Sequence, residues 1–248
     1  MRMIAAAVYL TLLTAAIAAA PRVAAEEFRV IATEDVAAKL AAPAPHDFVL
    51  VDARTQVEFS EAHIPGSVLV PARLAAAKLP SIAKDKARAV IFYCNGPNCT
   101  KTVKAGKAAA AIGYTNVLEY KEGLPGWLKS GRRAEGTPLA PFDAPLVAPP
   151  ELRAALAAPS APLLVDVRDP EEYAAFHVSG ALAVPLDELA AWVRKAPAGR
   201  SIVVMDHAGH QTPVAARVVH AAGRSDVRRL DGGILKWQAM GLPVVSAK

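Results

Sequence analysis

The stretch "FVLVDARTQVEFSEAHIPGSVLVP" (48–71) is echoed by "PLLVDVRDPEEYAAFHVSGALAVP" (162–185). Asp52 and Asp166, Arg54 and Arg168, His63 and His177, and Gly66 and Gly180 each stand 114 positions apart. A second echo sets "EGLPGWLKSG" (122–131) against "DGGILKWQAMG" (231–241), with Trp127 answered by Trp237. Solenoid repeats recur every ~20–50 residues. A period above that is the length of one small domain, so the chain reads as a tandem duplication. The proline-rich run "TPLAPFDAPLVA" (137–148) falls between the copies and has the composition of a connector. The expected organisation is therefore a first domain over 26–136, a linker over 137–144 and a second domain over 145–248. Apolar residues make up 53% of the chain, which is enough to fill a core in each.

The N-terminus stands outside the repeat. Arg2 is followed by an apolar run from Met3 to Ala20, then by the small residues Val23-Ala24-Ala25. This is the pattern of a secretory signal peptide cut after Ala25, and it predicts an exported, periplasmic protein with no stable membrane insertion once cleaved. An uncleaved N-terminal anchor is the alternative, because the run is long for a signal sequence. Removal of residues 1–25 takes away Arg2 and Arg22 and no acid, leaving 26 basic residues against 23 acidic ones and a net charge of +3. Such a mild excess, with no basic stripe, gives no support to nucleic-acid binding.

Within each copy, apolar strands alternate with helical stretches. In the first, Phe48–Val51 is a strand ending in Asp52, Thr55–Ala62 is helical, Ser67–Pro71 is extended and Ala89–Tyr93 is a buried strand running into Cys94. Lys101–Ile112 is an alanine-rich helix stopped by Gly113, and Asn116–Tyr120 is a further strand. The fold class is α/β, each domain a small parallel sheet with helices on both faces. Ligands of such sheets bind beyond the carboxyl ends of the strands, where Cys94 lies.

Both cysteines fall in "FYCNGPNCTKT" (92–102). Two thiols are too few for a disulfide scaffold or a four-cysteine zinc site. A cysteine between a buried strand and a helix faces loop amides and the free first turn of that helix, which favour its anionic form. Gly96 lets the backbone curl, and Pro97 stiffens the curl without offering an N–H. Asn95, Gly96, Asn98, Cys99 and Thr100 would then form a cradle for a persulfide carried by Cys94. Cys99 reads either as loop packing or as a resolving thiol that attacks persulfidated Cys94.

These residues carry a family resemblance. Asp52-x-Arg54, Glu58-Phe59 and Ala62-His-Ile-Pro-Gly66, with Cys94 after its strand and Gly123 through Trp127, resemble the signatures of the rhodanese family of sulfurtransferases. The resemblance spans nearly all of 28–136 and again about 145–246. It implies tandem rhodanese-like domains, with Cys94 taking a sulfane sulfur from a small anionic donor and passing it to a thiol or cyanide acceptor. It implies no metal and no organic cofactor, and it names no protein partner. The loop departs from family members that use thiosulfate, which carry arginine or lysine inside it; here the first cation is Lys101, and polysulfide or a low-molecular-weight persulfide becomes an equal candidate for the donor. Arg54 and Lys101 are candidate auxiliary cations. Lys101 and Lys104, one turn apart, also read as an ordinary solvated face. In the second copy Asp206 takes the place of Cys94, and a carboxylate cannot carry sulfur, so that domain is expected to be inactive. Asp206, His207 and His210 lack the spacing of a metal site.

Two other classes remain open. One is a thiol-disulfide redox protein using Cys94 and Cys99, against which the wide spacing argues. The other is a non-enzymatic rhodanese-like binding module.

Overall fold

The computed structural model of the chain describes residues 28–246. The segment 1–25, expected to be a signal peptide, and its expected cleavage site lie outside the described residues. Among the described residues no helix is long and apolar enough to cross a membrane.

The first copy contains β1 (Arg29–Val30), α1 (Thr33–Ala41), β2 (Phe48–Asp52), α2 (Gln56–Glu61), β3 (Val68–Leu69), α3 (Ala75–Ile82), β4 (Ala89–Tyr93), α4 (Lys101–Ala111), β5 (Val117–Tyr120) and α5 (Gly123–Lys129). Its five strands pair in the order β1-β5-β4-β2-β3, every pairing parallel. The second copy repeats the arrangement with β6 (Leu146–Val147), α6 (Pro149–Leu156), β7 (Leu163–Asp166), α7 (Pro170–Ala175), β8 (Leu182–Ala183), α8 (Leu189–Val193), β9 (Ile202–Met205), α9 (Thr212–Ala221), β10 (Val227–Leu230) and α10 (Gly233–Ala239). Its order is β6-β10-β9-β7-β8, again all parallel. Parallel neighbours need crossovers, and the intervening helices supply them.

Side-chain alternation along the central strands divides the core into two layers. Val49, Val51, Val90 and Phe92 pack with Ala75, Leu79, Ala105 and Ala109 of α3 and α4. Phe48, Leu50, Ile91 and Tyr93 face the opposite way, onto Val36, Leu124 and Trp127 of α1 and α5. Both faces of β2 and β4 are thus buried, which is why these strands read as unbroken apolar runs rather than as alternating ones.

The connector is not a free tether. Leu139 and Phe142 pack against the core of the second domain, and Ala144 belongs to it. On the other side, Thr137 N–H donates to Ser60 O at 2.7 Å and Leu139 N–H to Glu61 Oε1 at 3.3 Å. Val57 of the first domain also packs on the second domain's core.

Candidate active site

Three elements converge on Cys94. Strand β4 delivers it to the carboxyl edge of the sheet, the loop 95–100 leads from it into α4, and the start of α5 closes over its backbone. Leu124 N–H donates to Cys94 O at 3.0 Å. Gly123 makes that approach possible: its φ is +57°, and a Cβ there would lie 2.1 Å from Cys94 O. Gly233 holds the same place beneath Asp206, where a Cβ would come within 2.7 Å of the Asp206 carbonyl. The glycine in each "EGLPGW" or "DGGILKW" stretch is therefore a close-contact requirement.

Cys94 and Cys99 are joined as a disulfide, their Cα atoms 6.3 Å apart. The curled loop brings the two thiols within the span that disulfides bridge. The spacing that argues against a redox pair in the sequence is no obstacle in the structure, because Gly96 at φ +102° turns the chain back on itself. Cys94 is 1% exposed and Cys99 half-buried.

In the disulfide form the residues expected to make up the cradle are engaged in other contacts. In this oxidised loop Cys99 N–H donates to Gly96 O at 3.0 Å and closes a turn. The side chain of Asn95 is also engaged: its Nδ2 donates to Glu58 Oε1, and its Oδ1 accepts from Arg54 Nη1 at 3.3 Å. Asn98 and Thr100 are exposed, and Gly96 is buried.

The second domain shows what a filled cradle looks like. The Asp206 carboxylate, 2% exposed, accepts from the N–H groups of Gly209 and Gln211. Burial pushes its pKa up, only partly offset by those two amides. With Cys94 and Asp206 aligned, the two donors fall on Pro97, which has no N–H, and on Cys99, whose N–H is already taken. The two loops are similar in course and different in hydrogen bonding.

Beneath the Cys94 loop lies a buried ion pair. Arg54 Nε and Nη2 clamp Asp52, with Nη2 to Oδ2 at 2.7 Å, and Nη2 also donates to Ala62 O at 2.6 Å. Burial works against the guanidinium charge, but Asp52 and Glu58 outweigh it and raise the Arg54 pKa. Arg168 repeats the clamp on Asp166 and Phe176 O. One contact is missing: His207 stands where the first domain has Asn95, and among the described residues Arg168 Nη1 and His207 Nδ1 have no hydrogen-bond partner. His63 and His177 are structural in both copies, each Nδ1 bonded to the carbonyl four residues earlier, at 2.8 and 2.9 Å. Trp127 and Trp237 are core residues whose indole N–H groups donate to Arg133 O and Pro243 O.

The second domain presses its own loop against the first. Asn95, Asn98, Cys99 and Lys101 share a crevice of about 20 Å³ with Glu172, Asp206, His207 and Gln211. Gln211 Nε2 donates to Glu58 Oε2 at 2.9 Å, Lys101 Nζ meets Asp169 at 3.3 Å and Lys104 meets Glu171 at 3.1 Å. Arg217 clamps Glu61, and Asp187 accepts from the N–H groups of Gln56 and Val57 at the start of α2. Lys101 is thus no solvated residue: it is buried, and although burial opposes its charge, Glu58, Asp169 and Glu172 raise its pKa. Burial likewise pushes Glu58 up, but Arg54, Lys101 and the Asn95 and Thr55 hydrogen bonds hold it below the ordinary carboxylate range. Glu58 figured in the sequence only as a signature residue, and neither its partner Gln211 nor Asp169, the partner of Lys101, carried a role there. The pairing of Glu58 with Glu172 at the repeat distance was the available signal.

The profile of the Rhodanese-like domain matches this chain twice, over residues 32–130 and 148–240. The chain belongs to the rhodanese-like family. Each sheet described above is one rhodanese-like domain. Among curated relatives, the thiosulfate sulfurtransferase GlpE of Pseudomonas fluorescens is 35% identical over 91 residues, covering 37% of this chain and 83% of that protein. An HTH-type transcriptional regulator of Mycobacterium tuberculosis, Rv0324, is 43% identical over 83 residues, covering 33% of this chain and 36% of the regulator. The matched stretch spans about a third of that regulator's length. A solved thiosulfate sulfurtransferase from Pseudomonas aeruginosa overlays 89% of this chain on 44% of its own, with TM-score 0.43 and 21% identity.

Proposed function

We propose that the protein is a sulfurtransferase that works through Cys94 in the first rhodanese-like domain. The observation that carries this reading is the placement of Cys94 at the carboxyl end of β4, in a loop leading into α4. Membership of the rhodanese-like family and the likeness to GlpE support it. The disulfide is first opened by a dithiol reductant, which gives up two electrons and leaves as its own disulfide, freeing Cys94 and Cys99 as thiols. The Cys94 thiolate then attacks the outer sulfur of a donor, the donor's S–S bond breaks and its remaining fragment leaves with the electron pair. An acceptor thiol or cyanide next attacks the outer sulfur of the Cys94 persulfide and releases the thiolate.

Thiosulfate, polysulfide and low-molecular-weight persulfides are the donors considered. The loop itself carries no cation, and Lys101 is paired across the interface, which favours donors of lower charge than thiosulfate. The second domain serves as a packing partner that covers the loop, since Asp206 cannot carry sulfur. The apolar N-terminus supports export to the periplasm.

Reduced protein exposed to polysulfide and, separately, thiosulfate is expected to gain a single sulfur by intact mass. Cys94→Ser, which keeps the second domain whole, is expected to gain none. Unchanged labelling of Cys94→Ser would refute the assignment.

A further inference from the structure

We propose that the disulfide form of the loop takes up hydrosulfide directly and converts it into the Cys94 persulfide, with no sulfane-sulfur donor. The inference rests on the reading of Cys94 as the sulfur carrier and adds a second substrate class for the same site.

Access to the two sulfurs is unequal. Cys94 is 1% exposed, its carbonyl tied to Leu124 and its loop faced by Asp206. Cys99 is half-buried and opens on two spaces. One is the crevice of about 20 Å³ against the second domain, room for roughly one water. The other is an open groove of about 340 Å³, walled by Phe28, Pro97, Val103 and Leu235 with Lys121 at its side. A thiolate attacking a disulfide must approach the sulfur it bonds to, displacing the other, and the rate depends on that access. Cys99 is therefore the sulfur attacked and Cys94 the leaving group. In the crevice Lys101 is paired with Asp169 and stands beside Glu172 and Asp206, and in the groove Lys121 is matched by Glu119, so access and small size, not a positive field, select the hydrosulfide ion.

The chemistry balances within the protein. Hydrosulfide attacks Cys99 Sγ, a new S–S bond forms, and the Cys94–Cys99 bond breaks with its electron pair leaving on Cys94. The products are a Cys99 hydropersulfide and a Cys94 thiolate. Because the two sulfurs had been bonded, the thiolate is within reach of the single inserted sulfur. It attacks that outer atom, the Cys99–sulfur bond breaks, and Cys99 takes up the proton as a thiol. In sum, hydrosulfide and disulfide yield Cys94–S–S⁻ and Cys99–SH. The sulfide sulfur is oxidised by two electrons and the disulfide reduced by two, so the oxidant is the bond already present in the loop. A larger thiol follows the first step only, leaving an organic mixed disulfide on Cys99 that carries no sulfane sulfur.

The test uses the full chain in its disulfide form, desalted and free of titratable thiol, mixed anaerobically with sodium sulfide and quenched with iodoacetamide. The expected result is a stoichiometric single added sulfur on the 92–102 loop, released by cyanide as thiocyanate. In the earliest quench, Cys94 should be alkylated as a plain thiol while the sulfur sits on Cys99. Pre-reduced protein, Cys94→Ser and Cys99→Ser should gain none, since each lacks the disulfide. Appearance of two plain thiols with no added sulfur would overturn the proposal, as would equal labelling of the pre-reduced protein. Pre-reduced protein treated with polysulfide tests the transferase reading separately: if it loads Cys94 while the disulfide form ignores sulfide, only the present inference fails.

Discussion

Arg54→Met should be among the most damaging single changes to the first domain. Asp52 is fully buried, and Arg54 neutralises it through Nε and Nη2 while also satisfying Ala62 O and Asn95 Oδ1. Methionine fills much of the same volume but leaves the Asp52 carboxylate charged and alone in the core. Breaking a buried pair from one side costs about 3–5 kcal/mol, and the orphaned Ala62 carbonyl adds to it. The upper half of that range is expected here because Nη2 serves both Asp52 and Ala62. Replacing both partners removes the stranded charge, so Asp52→Leu with Arg54→Met should recover most of the loss. The assay is urea unfolding followed by fluorescence, with Trp127 reporting the first domain in a Trp192→Phe/Trp237→Phe background and Trp192 and Trp237 reporting the second in a Trp127→Phe background. A single-mutant loss below ~1 kcal/mol, the value typical of an exposed pair, would refute the reasoning. So would a double mutant as unstable as the sum of the two singles.

His207→Asn should stabilise the second domain by about 1–3 kcal/mol, the usual penalty for a buried unsatisfied group, by giving Arg168 Nη1 the acceptor that Asn95 gives Arg54; an unchanged midpoint for that domain in the same assay would count against it. Glu58 has a lowered pKa in the folded protein, so its contribution is present above about pH 4.3, the unfolded-state value, and is lost as pH falls through the lower folded value. Glu58→Gln should therefore be less stable than the parent at neutral pH, with the gap narrowing steadily below about pH 4.3. A gap independent of pH would show that the charge is not what Glu58 contributes.

The repeat, the fold class and the position of Cys94 were legible in the sequence because each leaves a local mark. The buried runs 48–51 and 89–93, the helix from Lys101 and the strand near 117–120 all appear where periodicity placed them. Strands β1, β6 and β8, two residues each, are too short to show any period, and α5 was legible only as a glycine-tryptophan echo. The Asp-x-Arg pairs also left a mark, recurring 114 positions apart even though the second copy has Asp206 in the cysteine's place, and the structure shows both as buried clamps.

Tertiary structure decided the rest. A lysine at the start of a helix looks solvated until a second domain sets Asp169 3.3 Å from it, and no property of residues 101–111 encodes that neighbour. The same holds for Glu58, whose partner Gln211 is 153 positions away. Sequence patterns report the backbone period and the turn chemistry of a short window. The environment of a side chain buried between two domains depends on how two finished sheets dock. That docking faces the Cys94 loop with Asp206 and leaves Cys99 on the open groove.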